Sequence, residues 1–172
     1  MALEHRQTMT VEAYFQLEEH DLDRRYEYVD GYIYMMAGGS PAHSIISLNL
    51  GRILGNLLEE SPCIVYNSDI YFQAAENSYL HPDVTISCHE QDHLSEKVIQ
   101  YPCFVAEVLS PGTEARDRGI KFEAYRACPT IQTYVLVNPE SPKIELFRRE
   151  RNNLWTILTL KSGDYVELTS PV

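Results

Sequence analysis

The sequence predicts an α/β fold: a mixed central β-sheet flanked by helices, preceded by an N-terminal helix and a β-hairpin. Three observations predict it. Helical apolar periodicity and short aromatic, β-branched runs are interleaved and then give way to a succession of strands, an order suited to α/β or α+β architecture and not to an all-β barrel. The 172 residues are 44% hydrophobic and 23% charged, enough for one sizeable core and short for two, so residues 1–172 read as a single domain. The run FVAEVL, Phe104 to Leu109, is apolar on both alternating faces, as expected of a central strand covered on both sides.

The elements follow in order. Residues 1–8 lack an apolar stretch and read as a flexible N-terminus. Thr10 can cap a first helix through about Glu19, with Glu12 in its favourable first turn. In RYEYVDGYIYMMAG two strand-like runs flank Asp30-Gly31, a strong hairpin signal. In SPAHSIISLNLGRILGNLLEE, Ser40 is the cap and Pro41 the first helical residue, and Ile45, Leu48, Ile53, Leu57 and their neighbours supply an apolar stripe that outweighs two glycines. Strand candidates follow at CIVYNSDIYFQA, PDVTISC and FVAEVL, then a helix at GTEARDRGIKFEAYRA with Thr113 as its cap. Further strands are expected at IQTYVLVNP, KIELFRR, LWTILTL and DYVEL, whereas QAAENSYL and HEQDHLSEKVIQ look most like loops. On the helix, Asp117, Lys121 and Tyr125 share one face, while Ile120, Ala124 and Ala127 form the stripe expected to pack on the sheet.

Charge and cysteine usage narrow the classes. The net charge of −11 and a pI near 4.9 weigh against broad electrostatic capture of nucleic acid, although Arg116, Arg118, Lys121 and Arg126 supply a local basic patch. No apolar run approaches the roughly 18 residues needed to span a bilayer, and a cytoplasmic protein is expected. Cys63, Cys88, Cys103 and Cys128 lie far apart without a CxxC pair, which suggests reduced, mostly buried thiols.

Glu107 poses the chemical question. An unpaired ionised carboxylate within a doubly covered strand costs roughly several kcal/mol. If the strand opened by Asp83, in HPDVTIS, is a neighbour of FVAEVL, Asp83 and Glu107 can converge on one hard cation, with a backbone carbonyl such as that of Val108 in support. Magnesium there would neutralise Glu107 and activate a phosphodiester for hydrolysis, with Lys121 leaning over from the following helix to offset charge on phosphate oxygens. The plainer alternatives are a Pro-Asp turn, a surface Lys121–Asp117 pair and a buried salt bridge or protonated acid at Glu107. In HPDVTISCHEQDH, His81, Cys88, His89 and His93 suggest zinc, but their spacing fits no standard finger. The twelve tyrosines fit sheet faces better than a base-stacking platform.

The Pro-Asp pair, the EVL strand and the lysine resemble the PD-(D/E)XK restriction-endonuclease-like superfamily. More closely, RYEYVDGYIY, AHSIISLNLGRIL, HPDVTI, FVAEVLSPGT, DRGIKFEAYRA and IQTYVLVNP, in that order, are similar to the Uma family of bacterial proteins assigned as endonucleases. The resemblance runs from about Met9 to Phe147. It implies a restriction-endonuclease-like α/β core and magnesium-dependent cleavage of nucleic acid, DNA first, with manganese as a possible substitute. Asp83 and Glu107 are then metal ligands and Lys121 the catalytic lysine. The superfamily places its lysine two positions after the acid, where this chain has Leu109, so the ammonium is expected from the adjacent helix. Glu27 and His43 also fall within matching blocks. Glu27 reads first as a cross-strand ion-pair partner and His43 as a helix-surface histidine; a ligand or supporting role and a phosphate contact are the alternatives. A homodimer would suit cleavage of both strands of a duplex. The competing function is a catalytically inactive nucleic-acid-binding or protein-interaction module on the same fold.

Overall fold

The structure, a computed structural model, describes residues 8–36 and 38–168. The expected flexible N-terminus thus falls, except for Thr8, outside the described residues. Helix α1 (Val11–His20) starts where Thr10 accepts the N–H of Ala13 at 3.2 Å. Strands β1 (Tyr26–Val29) and β2 (Tyr32–Met35) form the expected hairpin, with Asp30 and Gly31 at φ 48° and 90° in the left-handed region that this turn requires. Helix α2 (Pro41–Leu57) opens on the Ser40 cap. Strands β3 (Ile64–Asn67), β4 (Tyr71–Ala75), β5 (Ser78–Leu80) and β6 (Val84–Ser87) follow, then a short α3 (Glu90–His93), β7 (Val98–Ile99) and β8 (Phe104–Val108). The crossover helix runs as α4 (Glu114–Arg116), a wide π turn over Asp117–Lys121 and α5 (Phe122–Ala127). Strands β9 (Thr133–Val137), β10 (Lys143–Arg149) and β11 (Trp155–Lys161) complete the order.

The strands build two sheets. A six-stranded mixed sheet has the order β11-β10-β9-β8-β6-β3, with β8 and β9 parallel and joined through the crossover helix. A five-stranded sheet of order β2-β1-β5-β4-β7 lies against it. Leu54, with Ile46, Leu50 and Leu58, packs α2 onto Ile86, Phe104, Ala106 and Val108 on one face of the large sheet. The opposite face carries Val105 and Leu109, which meet Tyr125 of α5 and Phe72 and Leu80 of the smaller sheet. Tyr14 of α1 closes over Tyr26, Tyr28 and Tyr79. Glu107 lies between Val105 and Leu109 on β8, and so points into the layer between the sheets.

Several local expectations are corrected. The α2 stripe is wrong by a rotation: Ile45, Leu48, Ile53 and Leu57 are exposed, and the packed line is the i, i+4 series from Ile46 to Leu58. A helix apolar nearly all round does not reveal by periodicity which side meets the sheet. QAAENSYL contributes to β4 and supplies β5, whose partners come from the smaller sheet, and HEQDHLSEKVIQ holds α3 and β7. DYVEL is irregular; it is not part of either sheet's ladder, and Val166 instead packs beside the α2 core. Thr113 makes no side-chain cap. Among the described residues no helix is long and apolar enough to cross a membrane.

The cysteine expectation is also corrected. The β3–β6 register sets Ile64 opposite Ser87, so Cys63 and Cys88, one residue beyond, meet across the strand ends and form a disulfide with Cα atoms 3.9 Å apart. Their separation of 25 residues hides this until the strands pair. Cys103 and Cys128 remain buried thiols. Closing such a loop stabilises by about 3 kcal/mol in the chain-entropy account. Urea unfolding with and without dithiothreitol is expected to show a loss of that size on reduction; identical midpoints would show that the cross-link contributes nothing.

Candidate active site

The site begins with strand register. Val84 pairs with Ala106 in the antiparallel β6–β8 ladder, which brings Asp83, immediately before β6, level with Glu107. Asp83 Oδ2 accepts the backbone N–H of Val108 at 2.7 Å and faces Nε2 of His43 at 3.1 Å. The expectation that the strand opened by Asp83 neighbours the one that carries Glu107 is therefore met.

Lys121 arrives from the crossover helix. Gly119, at φ −108° and ψ −105°, breaks the helical path within the π turn, a distortion that often marks functional positions. The turn directs Asp117 and Lys121 inward with Tyr125, so the polar face packs toward the sheet, while Ala127 is exposed. Of the expected stripe Ile120, Ala124 and Ala127, Ala124 packs against the core and Ile120 is half-buried, but the most deeply buried face is the polar one. The reason is that the sheet already presents carboxylates there, and an ammonium matches them better than a methyl group. Nζ of Lys121 lies 2.6 Å from Glu107 Oε1, 2.9 Å from Glu27 Oε1 and 3.4 Å from Asp117 Oδ1. The Tyr125 hydroxyl donates to the same Glu107 oxygen at 2.6 Å, and the His81 N–H donates to Glu27 Oε1 at 3.2 Å.

All four members of this ionic cluster are buried, with Glu27, Glu107, Asp117 and Lys121 each no more than 5% exposed. Burial pushes Glu107 well above the usual carboxylate range, against the opposing pull of Lys121. Asp117 is raised by burial too, with Lys121 again opposing. Burial acts to lower Lys121, but Glu107, Glu27 and Asp117 outweigh it and raise the ammonium's pKa. Lys121 is therefore charged. The Asp83 hydrogen bond raises His43 despite burial, and the Val108 carbonyl adds to the effect. His81 is lowered to about 4, by burial first and then by Arg25.

Four carboxyl groups, those of Glu27, Asp83, Glu107 and Asp117, line the cleft with Lys121. For two of them the hydrogen bonds are one-sided. Asp83 is held through Oδ2 and Glu107 through Oε1, and among the described residues no donor reaches Asp83 Oδ1 or Glu107 Oε2. These two oxygens and the Val108 carbonyl are hard donors, the chemistry that a magnesium-type ion takes. Among the described residues no group of three or more His, Cys, Asp or Glu side chains is placed to hold a metal by itself. Magnesium does not require one, since it commonly uses one or two carboxylates and completes its shell with water and substrate phosphate. The zinc reading fails more simply: Cys88 is joined to Cys63, and among the described residues no three of the His and Cys side chains are placed to hold a metal.

The cleft encloses about 60 Å³ and is walled by Glu27, His43, Asp83, Glu107, Asp117 and Lys121, with Arg116 among its other lining residues. A larger cavity, about 310 Å³ beneath α2 and the disulfide, is lined by no carboxylate, histidine, lysine or arginine. The basic patch is smaller than expected. Lys121 is buried, Arg118 is paired with Glu114 and Glu145, and Arg126 lies over Phe122; Arg116 lines the cleft and lies over the Tyr34 ring at 5.2 Å.

Glu27 is an ion-pair partner, but of Lys121 on the crossover helix and not across the strands, and His43 faces Asp83 in the cleft instead of standing on the helix surface. Glu27 carried a signal like that of Glu107, an acid inside an aromatic strand. Asp117 was visible as the i−4 neighbour of Lys121, but its inward direction was not.

A family model described as "Uma2: Putative restriction endonuclease" matches residues 11–172. An uncharacterized protein of Synechocystis sp., slr1290, is 42% identical over 163 residues, covering 94% of this chain and 85% of the relative. A second from the same organism, sll1609, is 29% identical over 163 residues, covering 93% and 91%. In structure the chain is similar to a crystal structure of "a putative nuclease belonging to DUF820" from Anabaena variabilis. The TM-score is 0.67 at 14% identity, with 84% of this chain and 81% of that one covered. That likeness is of fold, and it agrees with the restriction-endonuclease-like architecture.

Proposed function

Because the chain belongs to the Uma2 family, we propose that it is an endonuclease that hydrolyses phosphodiester bonds of nucleic acid, DNA in the first place, with Mg2+ or Mn2+ as cofactor. One observation carries this reading. Asp83, at the head of β6, and Glu107, on the adjacent β8, each have one oxygen held by donors and the other left open, beside a buried lysine.

Asp83, Glu107 and the Val108 carbonyl would hold the cation. When bound there, a divalent ion supplies Lewis acidity toward a phosphate oxygen and makes water a stronger acid. The chain's own groups do the rest. Tyr125 and Lys121 hold Glu107 in one orientation, and Lys121 favours its ionised form against burial. The ammonium also provides a fixed positive charge at the cleft wall, where negative charge accumulates during phosphoryl transfer. Arg116 can meet a second phosphate at the rim. A two-fold dimer would present two such sites to a duplex.

The acidic total, −11, favours one competing reading, an inactive nucleic-acid-binding or protein-interaction module. A pool of single- and double-stranded DNA and RNA, incubated with Mg2+, Mn2+ or EDTA, tests both. Cleavage of DNA with either ion and none in EDTA is expected. Cation binding by calorimetry without cleavage of any substrate would favour the module.

A further inference from the structure

The first turn of α2 is built around a side chain that the proposed mechanism does not use. Ser40 accepts the His43 N–H at 3.2 Å, and the Ser47 hydroxyl donates to the His43 carbonyl at 2.8 Å while lying 3.4 Å from Nδ1. Gly39 leaves room for the ring: a Cβ there would stand 2.9 Å from Nδ1 and 3.0 Å from Cγ. Gly39 does not use the left-handed backbone region, so space is the physical reason for glycine at this position. Placed in this way, the imidazole presents Nε2 to Asp83 Oδ2 at 3.1 Å, the oxygen that also receives the Val108 N–H at 2.7 Å. Two donors on one oxygen fix the carboxylate plane and leave the other oxygen for the cleft.

We infer that His43 is a positioning residue, which orients Asp83 for a hard cation from the first turn of α2, with Gly39 as the residue that admits its ring. The inference rests on the reading of Asp83 as a cation ligand. Groups that orient a metal ligand typically contribute tenfold to a hundredfold in affinity. A surface histidine would contribute nothing.

Calorimetric titration of the whole protein with Mn2+, with melting temperature followed in parallel, tests it without recourse to activity. His43→Ala is expected to weaken Mn2+ binding by about tenfold or more. His43→Gln, whose amide nitrogen reaches the Nε2 position, is expected to recover much of the loss. Gly39→Ala, which keeps the imidazole but crowds it, is expected to weaken binding as well. An unchanged or tighter Kd in His43→Ala overturns the inference. So does equal weakening in the Ala and Gln variants with a matching fall in melting temperature, which marks a merely structural role. If His43→Ala does not fold, the Gln and Gly39 variants decide between these outcomes. A wild-type protein that binds no Mn2+ overturns this inference together with the cation site. One that binds Mn2+ with the His43 signature but cleaves nothing leaves His43 in place and removes only the nuclease reading.

Discussion

Glu107→Gln is expected to lose cation-dependent cleavage by at least about 10²-fold, the scale of removing one well-placed electrostatic group, while its melting temperature stays level or rises. The two effects part because of the charge balance around Lys121. Its ammonium faces Glu27 at 2.9 Å and Asp117 at 3.4 Å as well as Glu107, so neutralising one acid still leaves it paired. The Tyr125 hydroxyl can donate to an amide oxygen as it does to the carboxylate, at 2.6 Å in the parent. Burial already disfavours ionised Glu107, so the charge is retained at a cost to stability, a usual feature of functional sites. Cleavage at the parental rate by Glu107→Gln would exclude this carboxylate from the chemistry. A large drop in melting temperature would instead show that Glu107 holds the fold together.

Lys121→Met should have the opposite profile in stability. It leaves Glu27, Glu107 and Asp117 buried with no ammonium among them, and breaking a buried ionic cluster in this way costs about 3–5 kcal/mol near neutral pH. The pH dependence gives the sign. Burial raises the pKa of Glu107 and Asp117 in the folded protein, and loss of the lysine removes the charge that opposes that rise. Groups with raised folded pKa values contribute stability that is present below their ordinary values, 4.5 and 3.8, and is lost as the pH climbs through the folded ones. The variant should therefore approach the parent as the pH is lowered from 8 toward 5 and fall behind as it rises. His81 acts in the other direction in both proteins: its depressed folded pKa, about 4, removes stability as the pH falls below 6.5, so the difference between parent and variant is the quantity to follow. A pH-independent difference in unfolding free energy would mean that Glu107 and Asp117 are already neutral or solvated, and that Lys121 is not their counter-ion.

How much of this was legible in advance depended on whether a residue's partners are local. The hairpin at Asp30-Gly31 and the caps at Thr10 and Ser40 depend on neighbours a few positions away, and they appear where the residues predict them. Glu107 could be singled out because alternation alone shows an acid inside an apolar strand. Asp83 followed from its place at the head of a strand. The roles of Glu27 and His43 could not be read in this way. Glu27 comes from the smaller sheet and His43 from α2, and each reaches the cleft only because those elements pack against β8 and β6 from different directions. Neither contact leaves a periodic trace in the chain.

The same division applies to the whole protein. Residue order by itself determined the kind of elements, the central position of FVAEVL and the presence of a carboxylate requiring compensation, because side-chain alternation and burial cost act within one strand. Tertiary structure alone decided which face of α2 is covered, that Cys63 meets Cys88, that the strands divide between two sheets, and that Lys121 lies among three acids instead of at the surface. Those outcomes depend on contacts between segments far apart in sequence, where register and the packing of one layer on another select among arrangements that local pattern leaves equal in energy.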